Sequence, residues 1–168
     1  MLNAMRRSKQ RKALAAGLYA AVARRAREPE FFARFAVEDT LDGRFDLLTL
    51  HAGLVLERLK AAGAAPLSQA FVDAVFIGFD EALRELGSGD IGMGKRMKKL
   101  ADAFYGRLKA YGEAKDEAAL EDALVRNLYR GARQPAARAM ARYVQGAKAR
   151  LGGCDLETLD FGPLPDEE

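Results

Sequence analysis

The residues of this chain that come nearest to spelling out a chemistry lie in one short stretch. Gly87-Ser88-Gly89-Asp90-Ile91-Gly92 has the form G-x-G-x-x-G, and Gly89 to Lys95 has the form G-x-x-x-x-G-K. Both patterns cradle phosphate when a buried strand feeds the glycines and a helix amino end receives the anion. Here Phe71, Val72, Val75, Phe76, Phe79, Leu83 and Leu86 recur at helical spacing before the glycines, so a helix and not a strand precedes them. Arg96 stands where a magnesium-binding Ser or Thr is needed, and Asp90 places a negative charge where phosphate would sit. The stretch therefore reads as a glycine hinge between two helices, with Asp90 capping the second. Asp80, Glu81, Glu85 and Asp90 are the nearest approach to a carboxylate site, but a carboxylate-bridged metal centre in a helical bundle wants Glu-x-x-His pairs on facing helices. His51 is the sole histidine and Cys154 the sole cysteine, so neither that centre nor a His/Cys zinc cluster can be assembled. No cofactor is expected, and Cys154 is read as incidental.

At 168 residues, with 49% hydrophobic and 30% charged content, the chain suits one domain with a real core. The net charge of +3 hides an asymmetry. Positions 1–27 hold eight bases and no acid, and the last fourteen residues hold six acids and no base. A basic start and an acidic finish point to an anionic partner for the first, or to the two ends lying near each other. The opening residues also imitate a secretory signal, ending in Ala21-Val22-Ala23. Against export, Leu14, Leu18 and Val22 share one helical face and Arg24 and Arg25 follow the cleavage-like site, which favours a retained basic amphipathic helix. No apolar run reaches the length of a membrane span, so membrane contact is expected to be peripheral.

Six helices must position these residues. The first is expected over Ser8–Arg27, stopped by Pro29, and is followed by an aromatic plug at Phe31, Phe32 and Phe35. The second, Leu41–Ala62, takes Asp39 or Thr40 as its cap and buries Leu47, Leu48, Leu54, Val55 and Leu59. His51 and Arg58 share that stripe and need partners there: a hydrogen bond in the core for the histidine and an acid from another helix for the arginine, or else a ligand. The third runs over Gln69–Leu86 with Ser68 as cap, and the fourth over Gly92–Glu113. The fourth buries Met93, Met97, Leu100, Phe104, Leu108 and Tyr111 and turns Lys95, Lys98 and Lys99 outward. The fifth and sixth are expected over Asp116–Arg130 and Ala136–Leu151. The fold class is all-α: a single compact domain of about six helices over residues 1–153, and an extended acidic tail over 154–168.

With the pattern assembled, the chain resembles the ubiquinol–cytochrome c chaperone family, the cytochrome b assembly factors of respiratory complex III. The residues that carry the resemblance include Phe31-Phe32, Asp39-Thr40, Gly43-Arg44-Phe45, Leu50-His51, Leu83-Arg84-Glu85-Leu86-Gly87, Gly94-Lys95, Met97-Lys98-Lys99, Phe104-Tyr105-Gly106-Arg107 and Arg126-Asn127. The resemblance implies a helical protein without catalytic activity, cofactor or small-molecule substrate that binds newly made cytochrome b. It also implies a second assembly factor and a ribosome contact as partners, and for a bacterial member a cytoplasmic location at the inner face of the cytoplasmic membrane. The expected partner-binding surface joins Arg84, Glu85, Asp90, Lys95, Arg96, Tyr105 and Arg107, extended by Leu56 and Ile77. The alternative for Arg84, Glu85, Asp90 and Arg107 is an ion-pair network holding the third and fourth helices in register. Arg6, Arg7, Lys9, Arg11, Lys12, Lys98 and Lys99 are expected to face ribosomal RNA or an anionic membrane surface. A ribosome- or RNA-binding adaptor is the second functional reading.

Overall fold

The structure is a computed structural model that describes residues 2–87, 89 and 91–164. Among these residues it is all-helical, with six long helices and one single-turn helix. They are α1 (Leu2–Arg25), α2 (Glu30–Ala33), α3 (Leu41–Ala61), α4 (Ala65–Glu85), α5 (Met93–Gly112), α6 (Glu117–Asn127) and α7 (Ala136–Gly153).

The central element is α3, which packs against α1, α4, α5 and α7. Its burial on several sides follows from its composition: Leu47, Leu50, Ala52, Leu54, Val55 and Leu59 are all buried. Thr40 begins it, its hydroxyl accepting from the Gly43 amide at 3.1 Å. Gly43 is required there because a Cβ would run into the Glu38 carbonyl. The aromatic connector is a core plug, with Phe31 and Phe35 buried and the Val37 amide closing a turn on the Phe31 carbonyl at 3.1 Å.

Outside α3, α1 lies along α4 and α6 along α7. The α1–α4 crossing is tight where Tyr19 covers Gly78, since a Cβ on Gly78 would overlap the Tyr19 hydroxyl. Gly78→Val is accordingly expected to cost about 2 kcal/mol by overpacking, measured by urea denaturation. In a Tyr19→Ala background the added loss should shrink to well under half. An equal loss in both backgrounds would show that helix geometry, not this contact, sets the requirement.

Several boundaries differ from the periodicity reading. The first helix starts at Leu2, six residues before Ser8. The third expected helix begins at Ala65 because Pro66 is tolerated in a first turn; Ser68 lies inside it, its hydroxyl donating to the Ala64 carbonyl. The fifth stops at Asn127, before Arg130, where Tyr129 N bonds to Leu124 O and Gly131 N to Val125 O. Asp116 caps it from outside. Asp90, the expected cap of the fourth helix, lies outside the described residues; the residue before Met93 is Gly92, in the left-handed conformation.

Candidate functional site

Three arrangements position the chemically capable residues. The first is the α4–hinge–α5 unit. Here α4 ends at Glu85, Gly87 takes a positive φ, and its amide bonds back to the Arg84 carbonyl. A helix, not a strand, therefore enters the glycines, which removes the frame that a phosphate loop needs. The α4–α5 contact is aromatic: Phe76 meets Phe104 edge-on at 5.6 Å and stacks on Tyr105 at 6.1 Å, while Phe79 meets Phe45 and Phe104. Outside this layer, Ile77 is 60% exposed, Leu86 55%, Tyr105 52% and Ile91 97%. Arg84, Glu85, Lys95 and Arg96 are exposed around the hinge, and Arg84 pairs with Asp80 one turn back at 2.8 Å.

The second arrangement is a buried ion cluster, and it takes Arg107 away from the hinge surface. Asp46 on α3 is fully buried, with Arg107 of α5 at 2.7 Å and Arg130, beyond α6, at 2.9 Å. Arg107 also lies over the Phe45 ring at 5.3 Å. Arg130 reaches Asp46 from a left-handed backbone, φ 52°, an uncommon state for a residue with a side chain. Burial pushes the Asp46 carboxyl up to about 6, with both arginines pulling the other way. Of the network expected among Arg84, Glu85, Asp90 and Arg107, Arg107 is turned by α5 toward the only fully buried carboxylate among the described residues, and Asp90 lies outside the described residues.

The third arrangement surrounds His51. Its Nδ1 is 2.8 Å from the Leu47 carbonyl, which can only accept, so Nδ1 carries the proton and Nε2 accepts from the Tyr143 hydroxyl at 2.8 Å. Tyr143 in turn accepts from Arg25 Nε at 2.9 Å, and Arg25 donates to Glu28 and to the Gly162 carbonyl, both at 2.7 Å. Phe31 and Phe161 meet the imidazole edge-on. Complete burial, with Arg25 nearby, lowers His51 to about 4, so the ring is neutral. His51 is thus the hydrogen-bonded core histidine that the sequence allowed for. Arg58 differs: it donates to the Leu151 and Cys154 carbonyls at the end of α7 instead of to an acid.

The remaining candidates are dispersed. Leu56 is half-buried and lines a cleft among α3, α5, α6 and α7, while Ile77 is exposed on α4 and does not line that cleft. Arg6, Arg7, Lys9 and Lys12 are exposed along the first half of α1 and Arg11 is partly covered, while Lys98 and Lys99 are exposed on α5. At about 100° per residue the five α1 bases spread around the whole helix, which departs from an amphipathic arrangement over that half. Asp46 and Arg130 were not singled out from the sequence, and neither was the contact between Arg25 and Tyr143. Asp46 carried a usable signal, since it stands one helical repeat before Leu50 and Leu54 on a buried stripe. Among the described residues no group of three or more His, Cys, Asp or Glu is placed to hold a metal, and no helix is long and apolar enough to cross a membrane.

The geometry defines an all-helical scaffold in which Asp46, His51 and Tyr143 are held by neighbouring side chains and the backbone, and in which the buried Tyr111 hydroxyl has no hydrogen-bond partner among the described residues. The family model described as Ubiquinol-cytochrome C chaperone matches residues 33–163, and the chain belongs to that family. It is also similar to the crystal structure of the Cbp3 homolog from Brucella abortus, with 36% identity over 95% of this chain and 99% of that one, and a TM-score of 0.77. No curated protein matches.

Proposed function

We propose that this protein is a non-catalytic assembly chaperone that binds newly made cytochrome b and assists assembly of the ubiquinol–cytochrome c reductase complex. Family membership and the similarity to the Cbp3 homolog support the assembly role. The observation that carries the client reading is the hinge, where Ile91 is 97% exposed and Leu86 55% beside the basic first turn of α5. Aliphatic side chains presented to water at the end of a rigid aromatic layer suit an apolar client segment. Tyr105, Ile77, Arg84, Glu85, Lys95 and Arg96 extend this docking surface. Asp90 belongs to it by sequence, and Arg107 supports it from beneath through Asp46. The protein works from the cytoplasmic side, at the inner face of the membrane where the client is inserted. The ribosome- or RNA-binding alternative finds no support in either comparison.

The test is recovery of cytochrome b with the tagged protein from membranes of a respiring bacterium. Ile91→Asp combined with Tyr105→Ala should reduce recovery about tenfold while lowering the melting temperature by about 5 °C at most, the loss expected from Tyr105's ring contacts with Phe76 and Phe104. Recovery should change little between low and moderate salt. Recovery of RNA and ribosomal proteins without cytochrome b, falling steeply with salt, would instead establish the adaptor reading.

A further inference from the structure

The cleft that Leu56 borders is not used by the hinge surface. It has a volume of about 860 Å³, within the usual range for small-ligand sites. Its walls come from four helices at once, with Leu54 from α3, Leu108 from α5, Leu120 from α6 and Val144 from α7. A groove that receives a partner helix runs between two ridges, whereas four converging helices make a bowl, which suits a compact ligand. The rim is basic. Four lysines line it against two carboxylates, Glu57 and Asp116. Lys148 pairs with Glu57 at 2.5 Å, and the Asp116 carboxylate accepts from the Ala119 amide at 2.8 Å, so both acids are engaged. Lys109 has only a 3.9 Å contact with Glu113. Lys60, near the end of α3, and Lys115, between α5 and α6, line the rim too and are exposed and unpaired among the described residues.

We propose that this cleft binds a fatty acid, its acyl chain on the leucine and valine floor and its carboxylate between Lys60 and Lys115. A carboxylate fits better than a phosphate dianion. No arginine lines the rim, and the amide end of α6, which would otherwise cradle phosphate, is already taken by Asp116. The site is separate from the hinge and does not rest on the identity of the client.

The experiment is calorimetric titration of the full chain with myristate below its aggregation threshold, with inorganic phosphate and dodecyl maltoside as head-only and uncharged-chain probes. Myristate should bind with 1:1 stoichiometry and the two controls should not. Lys60→Glu combined with Lys115→Glu should weaken binding at least tenfold, and Leu56→Trp, which narrows the bowl, should do the same. The double lysine variant should keep the wild-type melting temperature and unchanged recovery of cytochrome b. Binding of dodecyl maltoside as tight as that of myristate, or indifference to the lysine reversals, would overturn the proposal. So would displacement of myristate by an acidic amphipathic peptide that binds more tightly, since the cleft would then be a protein-docking site.

Discussion

Replacing Asp46 by Ala is expected to destabilise the protein by about 3 kcal/mol and lower its melting temperature by about 10 °C. The reason is asymmetric desolvation. Asp46 is fully buried and holds Arg107 at 2.7 Å and Arg130 at 2.9 Å, joining α3, α5 and the turn after α6. Without the carboxylate, Arg107 keeps a mostly buried guanidinium with no counter-charge, and Arg130 keeps the cost of its left-handed backbone with only the exposed Asp42, at 3.6 Å, to hold it there. Arg130→Gly should do less harm, because glycine relieves the positive φ and Asp46 keeps Arg107, although the Arg130 pairs with Asp46 and with exposed Asp42 are both lost. The triple change Asp46→Leu, Arg107→Met, Arg130→Gly should lie closer to the wild type than Asp46→Ala does, since the only charge then left without its partner is that of exposed Asp42. Thermal denaturation of the four proteins decides it. A D46A protein as stable as the wild type would mean that the cluster contributes nothing, and that Arg107 is free to serve the hinge surface.

The second large effect is a pH dependence that passes through a single residue. In the folded protein His51 titrates near 4, against about 6.5 when exposed. Between those values the unfolded chain binds a proton that the folded chain refuses, so the histidine's contribution to stability falls as pH drops from about 6.5 to about 4. The full loss is about 3 kcal/mol. Asp46 acts in the opposite sense, since its carboxyl is pushed up to about 6 and the folded state takes up its proton first as pH falls. The two effects overlap, so the measurement must be a difference. Urea denaturation of wild type and His51→Gln at pH 7.5 and 4.5 isolates the histidine, because Asp46 is common to both. The gap between the two proteins should close by about 3 kcal/mol in favour of the variant at pH 4.5. A constant gap would mean that the imidazole is accessible to protons, contrary to the closed path from Arg25 through Tyr143 to the Leu47 carbonyl.

Both predictions concern residues outside the hinge, where the sequence drew most notice. Helical periodicity was legible because burying one stripe and wetting the other is a local requirement, met every three or four residues whatever the neighbours are. The aromatic stripe of α5, the plug at Phe31 and Phe35, and the neutral core histidine all follow from that rule. Helix ends were less legible, since they depend on backbone turns that several residue types tolerate. Leu128 and Tyr129 continue the apolar pattern of α6 beyond Asn127, yet both are buried in the turn that follows it. Pairing was not legible at all. Arg130 and Asp46 lie 84 positions apart, and nothing along the chain distinguishes this arginine from those left in water.

By itself, then, the sequence determined an all-helical domain with a glycine joint, and enough of its family's residues to be recognised. Those properties depend on composition and on contacts a few residues long. Only the tertiary structure decided which charges are buried, that Arg107 faces inward while Tyr105 faces out, and that four helices leave a lysine-rimmed bowl. A side chain's charge state and accessibility depend on whatever the fold packs against it, and that neighbour is usually distant in sequence.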